Sequence, residues 1–406
     1  MSRFLVVVPP LVGHVNPAVG LVEELRRRGH DVAWVAHETV VGPLLGEGVP
    51  VYPAGDDFLA AVVADLPERD RLKGLAAVRF LWERVLVPLA VDMVPHARKA
   101  ADDFAPDVVV ADQQTFAGGI VATERGLPWA TSACGTAELV DPVTLMPKVG
   151  AWMRAQVDGL WAAVGSDGGA AGRGGLDPRF SPYLILEYSS RELVGEISRD
   201  LPSLAFVGPV LPRWADPVPF PWEWLDLYDT RVFVTLGTLS QGIGDRFLGV
   251  VLEAVADRPY GVVLVGMADE LPEPPPNVLI RPFVPQLSLV PSMQAVLTHG
   301  GHNTVVGALA EGVPLVVAPI RDDQPIIARQ VARSGSGVRV NFTRARPADV
   351  AAALDAVLYD PAYRAAAEHI GASLRDAGGA ARAVDHLEAL VGATGPGPAP
   401  TLAAGG

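Results

Sequence analysis

Three short segments carry residue types that can do chemistry. The first is Gly13-His14-Val15-Asn16-Pro17. It follows the apolar run 4–8 and precedes a stretch with helical periodicity, so His14 is expected in the loop between a first strand and a first helix. An imidazole there can take a proton from a hydroxyl. A hydrogen-bonded surface histidine is the other reading of the same residue. Asp112 follows the run 108–111 and occupies the parallel position one unit along the chain. Its carboxyl group can orient the ring of His14 and stabilise the protonated form.

The second segment is Thr298-His299-Gly300-Gly301-His302-Asn303-Thr304, placed after a strand-like run and before a helix that ends near Gly312. Two glycines let backbone approach a ligand closely. The amides of Gly301 through Thr304, with a helix dipole of roughly +0.5 charge, form a seat suited to a diphosphate. His299 adds a donor. Val234-Thr235-Leu236-Gly237-Thr238 ends another strand in Gly then Thr and offers a second amide and a hydroxyl to the same phosphates. His299 and His302 also invite a metal reading. A catalytic zinc needs three protein ligands, however, and the intervening glycines favour backbone approach instead. The third segment, Pro319 through Pro325, holds Asp323 and Gln324. Either can cap the helix that begins at Pro325, or the pair can hold sugar hydroxyls at a strand end.

The elements that position these residues follow from patterning. Short β-branched runs alternate with longer helical stretches, the pattern of βαβ units stacked in a parallel sheet. Asn16 is expected to cap the first helix, with Pro17 at its first position and Arg26-Arg27-Arg28-Gly29 marking its end. A Pro- and Trp-rich stretch, 213–229, divides a first domain at 1–212 from a second at 230–375, where the alternation restarts. The stretch 351–391 is Ala-rich and helical, and 393–406 is a Pro/Gly/Ala tail. The fold class is α/β, with two Rossmann-like parallel-sheet domains. Open sheets of this kind bind ligands at the carboxyl ends of their strands, here in a cleft between facing domains.

Composition removes several classes. A net charge of −14 repels nucleic acid and anionic membrane. Every apolar stretch is interrupted before the ~18 residues that a membrane helix needs. Pro9-Pro10 and the absence of a small-residue cleavage site argue against a secretory signal. The one cysteine, Cys134, excludes a disulfide framework and a Cys-based zinc site, and a reducing cytoplasm fits.

Taken together, the segment around His14, the run Phe233-Val234-Thr235-Leu236-Gly237-Thr238, the run Phe283-Val284-Pro285-Gln286 and the block 298–324 resemble the family-one glycosyltransferases of GT-B fold, especially the bacterial macrolide and natural-product enzymes. The resemblance covers nearly the whole chain. It implies that His14 is the general base, assisted by Asp112. It implies that His299, Gly301, Asn303 and Thr304, helped by Thr238, hold the donor diphosphate. By the same resemblance Asp323 and Gln324 bind the transferred sugar, while Phe283, Val284 and Gln286 frame the nucleobase, with Phe283 stacking on it. A last helix within 376–392 would pack back on the first domain. Where relatives carry an acid that grips the ribose, this chain has Gly307, with Glu311 one turn on. A weakened ribose contact is the expectation.

The activity implied is inverting transfer of a sugar from a UDP- or dTDP-sugar to a hydroxyl of a lipophilic macrolide, polyketide or aromatic. The nucleotide sugar is a substrate; neither a cofactor nor a metal is expected. A homodimer is among the assemblies that the sequence allows. Two rivals remain: a sugar-nucleotide epimerase of the same fold, and a non-catalytic nucleotide-sugar binder or activator.

Overall fold

A parallel strand covered by helices on both faces must be apolar throughout, and Phe4-Leu5-Val6-Val7 meets that demand as β1 (Arg3–Val7), whose last four residues are all buried. Around it form β2 (Asp31–Ala36), β3 (Val51–Pro53), β4 (Val108–Asp112), β5 (Trp129–Ala133), β6 (Leu184–Glu187) and β7 (Leu204–Phe206). Their order across the sheet is β3-β2-β1-β4-β5-β6-β7. A second sheet holds β8 (Arg231–Thr235), β9 (Gly261–Val265), β10 (Val278–Arg281), β11 (Ala295–Thr298), β12 (Leu315–Val317) and β13 (Gly337–Arg339). It runs β10-β9-β8-β11-β12-β13. All pairings in both sheets are parallel.

This computed structural model describes residues 1–45, 48–54, 72, 74–139, 146–166, 176–212, 218–237, 244–267 and 271–393. Most of the tail expected at 393–406 and the first part of the stretch 213–229 lie outside the described residues.

In each sheet the chain builds outward to one side and then returns to the other side of its first strand. The direction reverses between β1 and β4 in the first sheet, and between β8 and β11 in the second. Such reversal points open a crevice at the carboxyl ends of the two strands. His14 and Asp112 follow one pair of strands; Gly237 and His299 follow the other.

The chain divides into two compact units. The first comprises Met1–Tyr188, Glu196–Arg213 and Gly378–Gly406, and the second Ser189–Gly195 and Trp214–Ala377. Ser189–Gly195, read from sequence as part of the first domain, clusters with the second unit. Its Leu193 is buried in a core with Phe233, Leu289 and Val331. The Arg333 guanidinium donates to the Leu193 carbonyl at 2.8 Å, and Ser373 bonds Ser190 at 2.8 Å.

The first helix departs from expectation. α1 spans Val12–Arg27, so it starts four residues before Asn16, and Asn16 caps nothing. Leu11 is extended, and its carbonyl accepts from the amides of His14 at 2.8 Å and Val15 at 3.0 Å. The first turn therefore closes on backbone alone. Pro17 lies inside the helix, where it removes one rung of the ladder close to the start. His14 consequently sits on the first helical turn, not in a loop.

At the other end of the chain α10 (Gly379–Leu390) packs on α1 within the first unit. Ala383, Val384, Leu387 and Leu390 join Leu21 and Leu25 in one core. Arg28 secures the contact, reaching Asp385 at 2.7 Å, Glu388 at 2.8 Å and the Ala381 carbonyl at 2.9 Å. His30, which its sequence neighbours leave without a role, meets Glu388 at 2.8 Å. Glu24, buried beneath Arg27 and Arg28, has its carboxyl drawn down to about 2, chiefly by its hydrogen bond with Arg27. Among the described residues no helix is long and apolar enough to cross a membrane.

Candidate active site

In the first unit, parallel register sets Val7 of β1 beside Ala111 of β4. The chain leaving β1 turns into α1 and that leaving β4 ends in Asp112, so the two side chains converge. His14 Nδ1 lies 2.9 Å from Asp112 Oδ2. Asp112 is wholly enclosed, and its Oδ1 accepts the Gln114 amide at 2.8 Å, which fixes the carboxyl plane. The imidazole side chain remains 20% exposed. With Nδ1 carrying its proton toward the carboxyl group, the lone pair of the neutral ring sits on Nε2.

Beneath this pair lies a buried polar layer from the ends of β5 and β6. Ser132 Oγ and Tyr188 Oη are 2.9 Å apart. Cys134 Sγ lies 3.8 Å from both the His14 carbonyl oxygen and Ser132 Oγ. Burial, then the adjacent Asp112, pushes the Cys134 thiol well up. Burial does the same to Tyr188 and to the carboxyl of Glu187. In each case burial favours the uncharged form.

His14, Asp112 and Cys134 each present a donor atom within 4.8 Å of the others, and they are the one such group of His, Cys, Asp or Glu among the described residues. His299 and His302 belong to no such group among the described residues.

In the second unit, β11 ends at Thr298 and the chain turns through Gly300, at φ +93, into α6 (His302–Ala310), with Gly301 as its N-cap residue. Asn303 and Thr304 lie in the first helical turn, both partly exposed; His302 is buried. The ring of His299 is flanked by two glycines. A Cβ added at Gly237 would lie 2.7 Å from Cε1, and one at Gly301 would lie 2.7 Å from Nε2. Only glycine leaves the ring its place. Burial lowers the His299 pKa to about 4, against a hydrogen bond with the Thr235 backbone and with a further push from the charge of Arg321. The ring is therefore neutral at pH 7.

The loop after β12 lies against the same turn, since the Ala318 amide bonds the Thr298 carbonyl at 2.8 Å. Gln324, the first residue of α7 (Gln324–Arg333), is buried, and its Oε1 accepts the amides of Ile320 at 2.8 Å and Arg321 at 3.0 Å. Its carbonyl oxygen is spent on shaping the loop. Asp323 is the N-cap residue but makes no side-chain cap bond, so the capping alternative is not realised. Asp322 holds φ +54, a left-handed conformation uncommon outside glycine and frequent where loops shape sites.

Of the residues assigned to the nucleobase, Phe283 is 63% exposed. Val284 is instead buried in the core with Phe233 and Leu289, so its side chain anchors the loop. Gln286 opens the short helix Gln286–Leu289. Thr238 lies outside the described residues. At Gly307 an added Cβ would meet nothing within 4 Å.

The chain is similar to known proteins. The family described as UDP-glucoronosyl and UDP-glucosyl transferase matches residues 200–376. The elloramycin glycosyltransferase ElmGT of Streptomyces olivaceus is 30% identical over 393 residues, a match covering 92% of this chain and 93% of that protein. The chain belongs to this glycosyltransferase family. The 4'-demethylrebeccamycin synthase of Lentzea aerocolonigenes is 28% identical over 430 residues, covering 96% of this chain and 100% of the relative. The crystal structure of CalG4, the calicheamicin glycosyltransferase, is similar at a TM-score of 0.77 and 26% identity, covering 98% of this chain and 100% of that one. The glycosyltransferase thus has the GT-B type of architecture, with two Rossmann-like parallel sheets.

Three residues of this glycosyltransferase escaped sequence reasoning. Arg321 is 14% exposed and close enough to His299 for its charge to lower the ring's pKa, which puts a cation beside the expected diphosphate seat. Its only sequence signal is its place two residues before Asp323. Gly237 was valued for its amide, whereas the structure uses its missing side chain. Cys134 gained its neighbours from strand order alone.

Proposed function

We propose that the enzyme moves a sugar from a UDP- or dTDP-sugar to a hydroxyl of a small lipophilic natural product, with inversion at the anomeric carbon. The observation that carries this reading is the His14–Asp112 pair at 2.9 Å, which leaves the Nε2 lone pair to accept the proton of an acceptor hydroxyl. The hydroxyl oxygen bonds to the anomeric carbon as the bond from that carbon to the diphosphate oxygen breaks. The leaving diphosphate is stabilised by the amides at the start of α6, by Arg321 and by His299 once its ring takes up a second proton. No metal is needed for that stabilisation. The −14 charge and the single cysteine support a cytoplasmic setting.

The test is turnover of UDP- and dTDP-sugars with a panel of hydroxylated macrolides, polyketides and aromatics, with and without magnesium, followed by NMR of the product anomer. An inverted glycoside formed without magnesium supports the reading. A retained anomer, or sugar-nucleotide isomerisation in the absence of any acceptor, sinks it. Calorimetry with UDP, dTDP and GDP on wild type and His299→Ala names the donor base. Binding that survives the substitution unchanged removes His299 from the seat.

A further inference from the structure

We propose that His14, Asp112 and Cys134 form a capture site for one thiophilic divalent cation of the Zn²⁺ class. The three donors are of unlike type and come from three separate parts of the chain: the first turn of α1 and the ends of β4 and β5. Their donor atoms all lie within 4.8 Å of one another. Nitrogen, thiolate sulfur and carboxylate oxygen are the donors that zinc accepts, at ~2.0–2.3 Å. Tetrahedral geometry at those lengths separates nitrogen from oxygen by about 3.3 Å and nitrogen from sulfur by about 3.5 Å. The His14–Asp112 separation of 2.9 Å therefore has to widen by a few tenths of an ångström, while the longest separation in the group, up to 4.8 Å, has to close by up to about 1.3 Å, a movement for which the imidazole, 20% exposed, has room. The exposed edge of the ring is also the route of entry, and water takes the fourth position.

Binding balances as follows. The ion displaces the Cys134 thiol proton to solvent, and the ring moves its proton from Nδ1 to Nε2 as Nδ1 takes the metal, so one proton is released per ion. The charged form of Cys134 is otherwise opposed by burial and by Asp112 and Glu187, and Tyr188 also faces it. The bound cation supplies the opposite charge that this layer lacks. Nε2 then carries a hydrogen and can no longer accept one. Inhibition of transfer by zinc follows from this, and that consequence alone rests on the reading of His14 as the base.

The experiment uses the full-length, chelator-treated enzyme titrated with Zn²⁺ by calorimetry and with Co²⁺ by absorption spectroscopy, alongside Cys134→Ser and Cys134→Ala variants whose near-UV circular dichroism establishes their fold. One ion per chain, a sulfur-to-cobalt charge-transfer band, and at least about a tenfold loss of affinity in either variant are expected. Absence of stoichiometric binding, binding without the sulfur band, or equal affinity in both variants overturns the site. An ion bound with the sulfur band that leaves turnover untouched establishes the site and instead removes His14 from the role of base. Absence of binding together with lost turnover in His14→Ala overturns the ion site and leaves the base standing.

Discussion

The two strand reversals of this glycosyltransferase solve different problems with the same topology. At β1/β4 the crevice is furnished with side chains: an imidazole locked by a buried carboxyl group over a layer of thiol, hydroxyl and buried acid. At β8/β11 it is furnished by subtraction, because two glycines clear space for one ring. Under the proposed function the first holds a base, which needs a partner that fixes its tautomer, and the second a polyanion seat, which needs many small dipoles and little bulk. The two histidines show the contrast directly. His14 is held by a carboxyl group, while His299 is kept neutral by burial.

The largest effect should come from the base. His14→Ala is expected to lower kcat by ~10²–10⁴ with donor affinity unchanged, measured by steady-state kinetics and nucleotide calorimetry. Asp112→Asn, which no longer selects the Nδ1–H tautomer, should fall short of that loss. Near-normal turnover in His14→Ala would erase the contrast by leaving the first reversal without chemistry.

Next in size is Gly301→Ala. Its Cβ meets the His299 ring at 2.7 Å while φ, at −62°, is ordinary, so the penalty is steric. Overpacking of this kind costs about 1–3 kcal/mol, equivalent to a roughly 5- to 150-fold weaker donor complex. Calorimetry that finds the same affinity would show that the ring's seat is not shared with the donor.

A smaller effect distinguishes the ring's charge. A diphosphate beside His299 raises its lowered pKa, so nucleotide binding should take up protons below pH 6.5 and tighten as pH falls toward about 4. Calorimetry in buffers of different ionisation enthalpy measures that uptake, and its absence would place the diphosphate elsewhere. In the free enzyme the same shift works against stability: the unfolded chain binds this proton first, so stability is lost as pH falls from 6.5 to about 4.

The smallest expected change is Gly307→Glu. The position has open space and lies one turn beyond Asn303, so the carboxylate should tighten donor binding by a few-fold, about one hydrogen bond's net worth. An unchanged dissociation constant would mean that this surface of α6 does not meet the ribose.

Much of this was legible in the residues. β-branched runs announced both parallel sheets, and His14, Asp112 and the glycine-rich turn at 299–301 stood out by type and spacing. Local chemistry misled at α1, where Asn16-Pro17 has the composition of a helix start but the backbone had already closed a turn on Leu11. Gln324 looked like a ligand-binding amide, and half of it is committed to its own loop. What the residues could not disclose was strand order. Cys134 stands 22 positions from Asp112 and 120 from His14, and no periodicity links them before the sheet is assembled.

The return of the last helix to the first unit sets a timetable for the newborn chain. Residues 214–377 interrupt that unit, and Val384, Leu387 and Leu390 are the side chains that cover Leu21 and Leu25. At ~5–20 residues per second, translation of the interruption alone takes roughly 10–30 s. Throughout that interval the amino-terminal half waits on the ribosome with a greasy stripe open to other chains, while the later unit is free to fold as it emerges. The finishing order is thus inverted: the half made first is completed last.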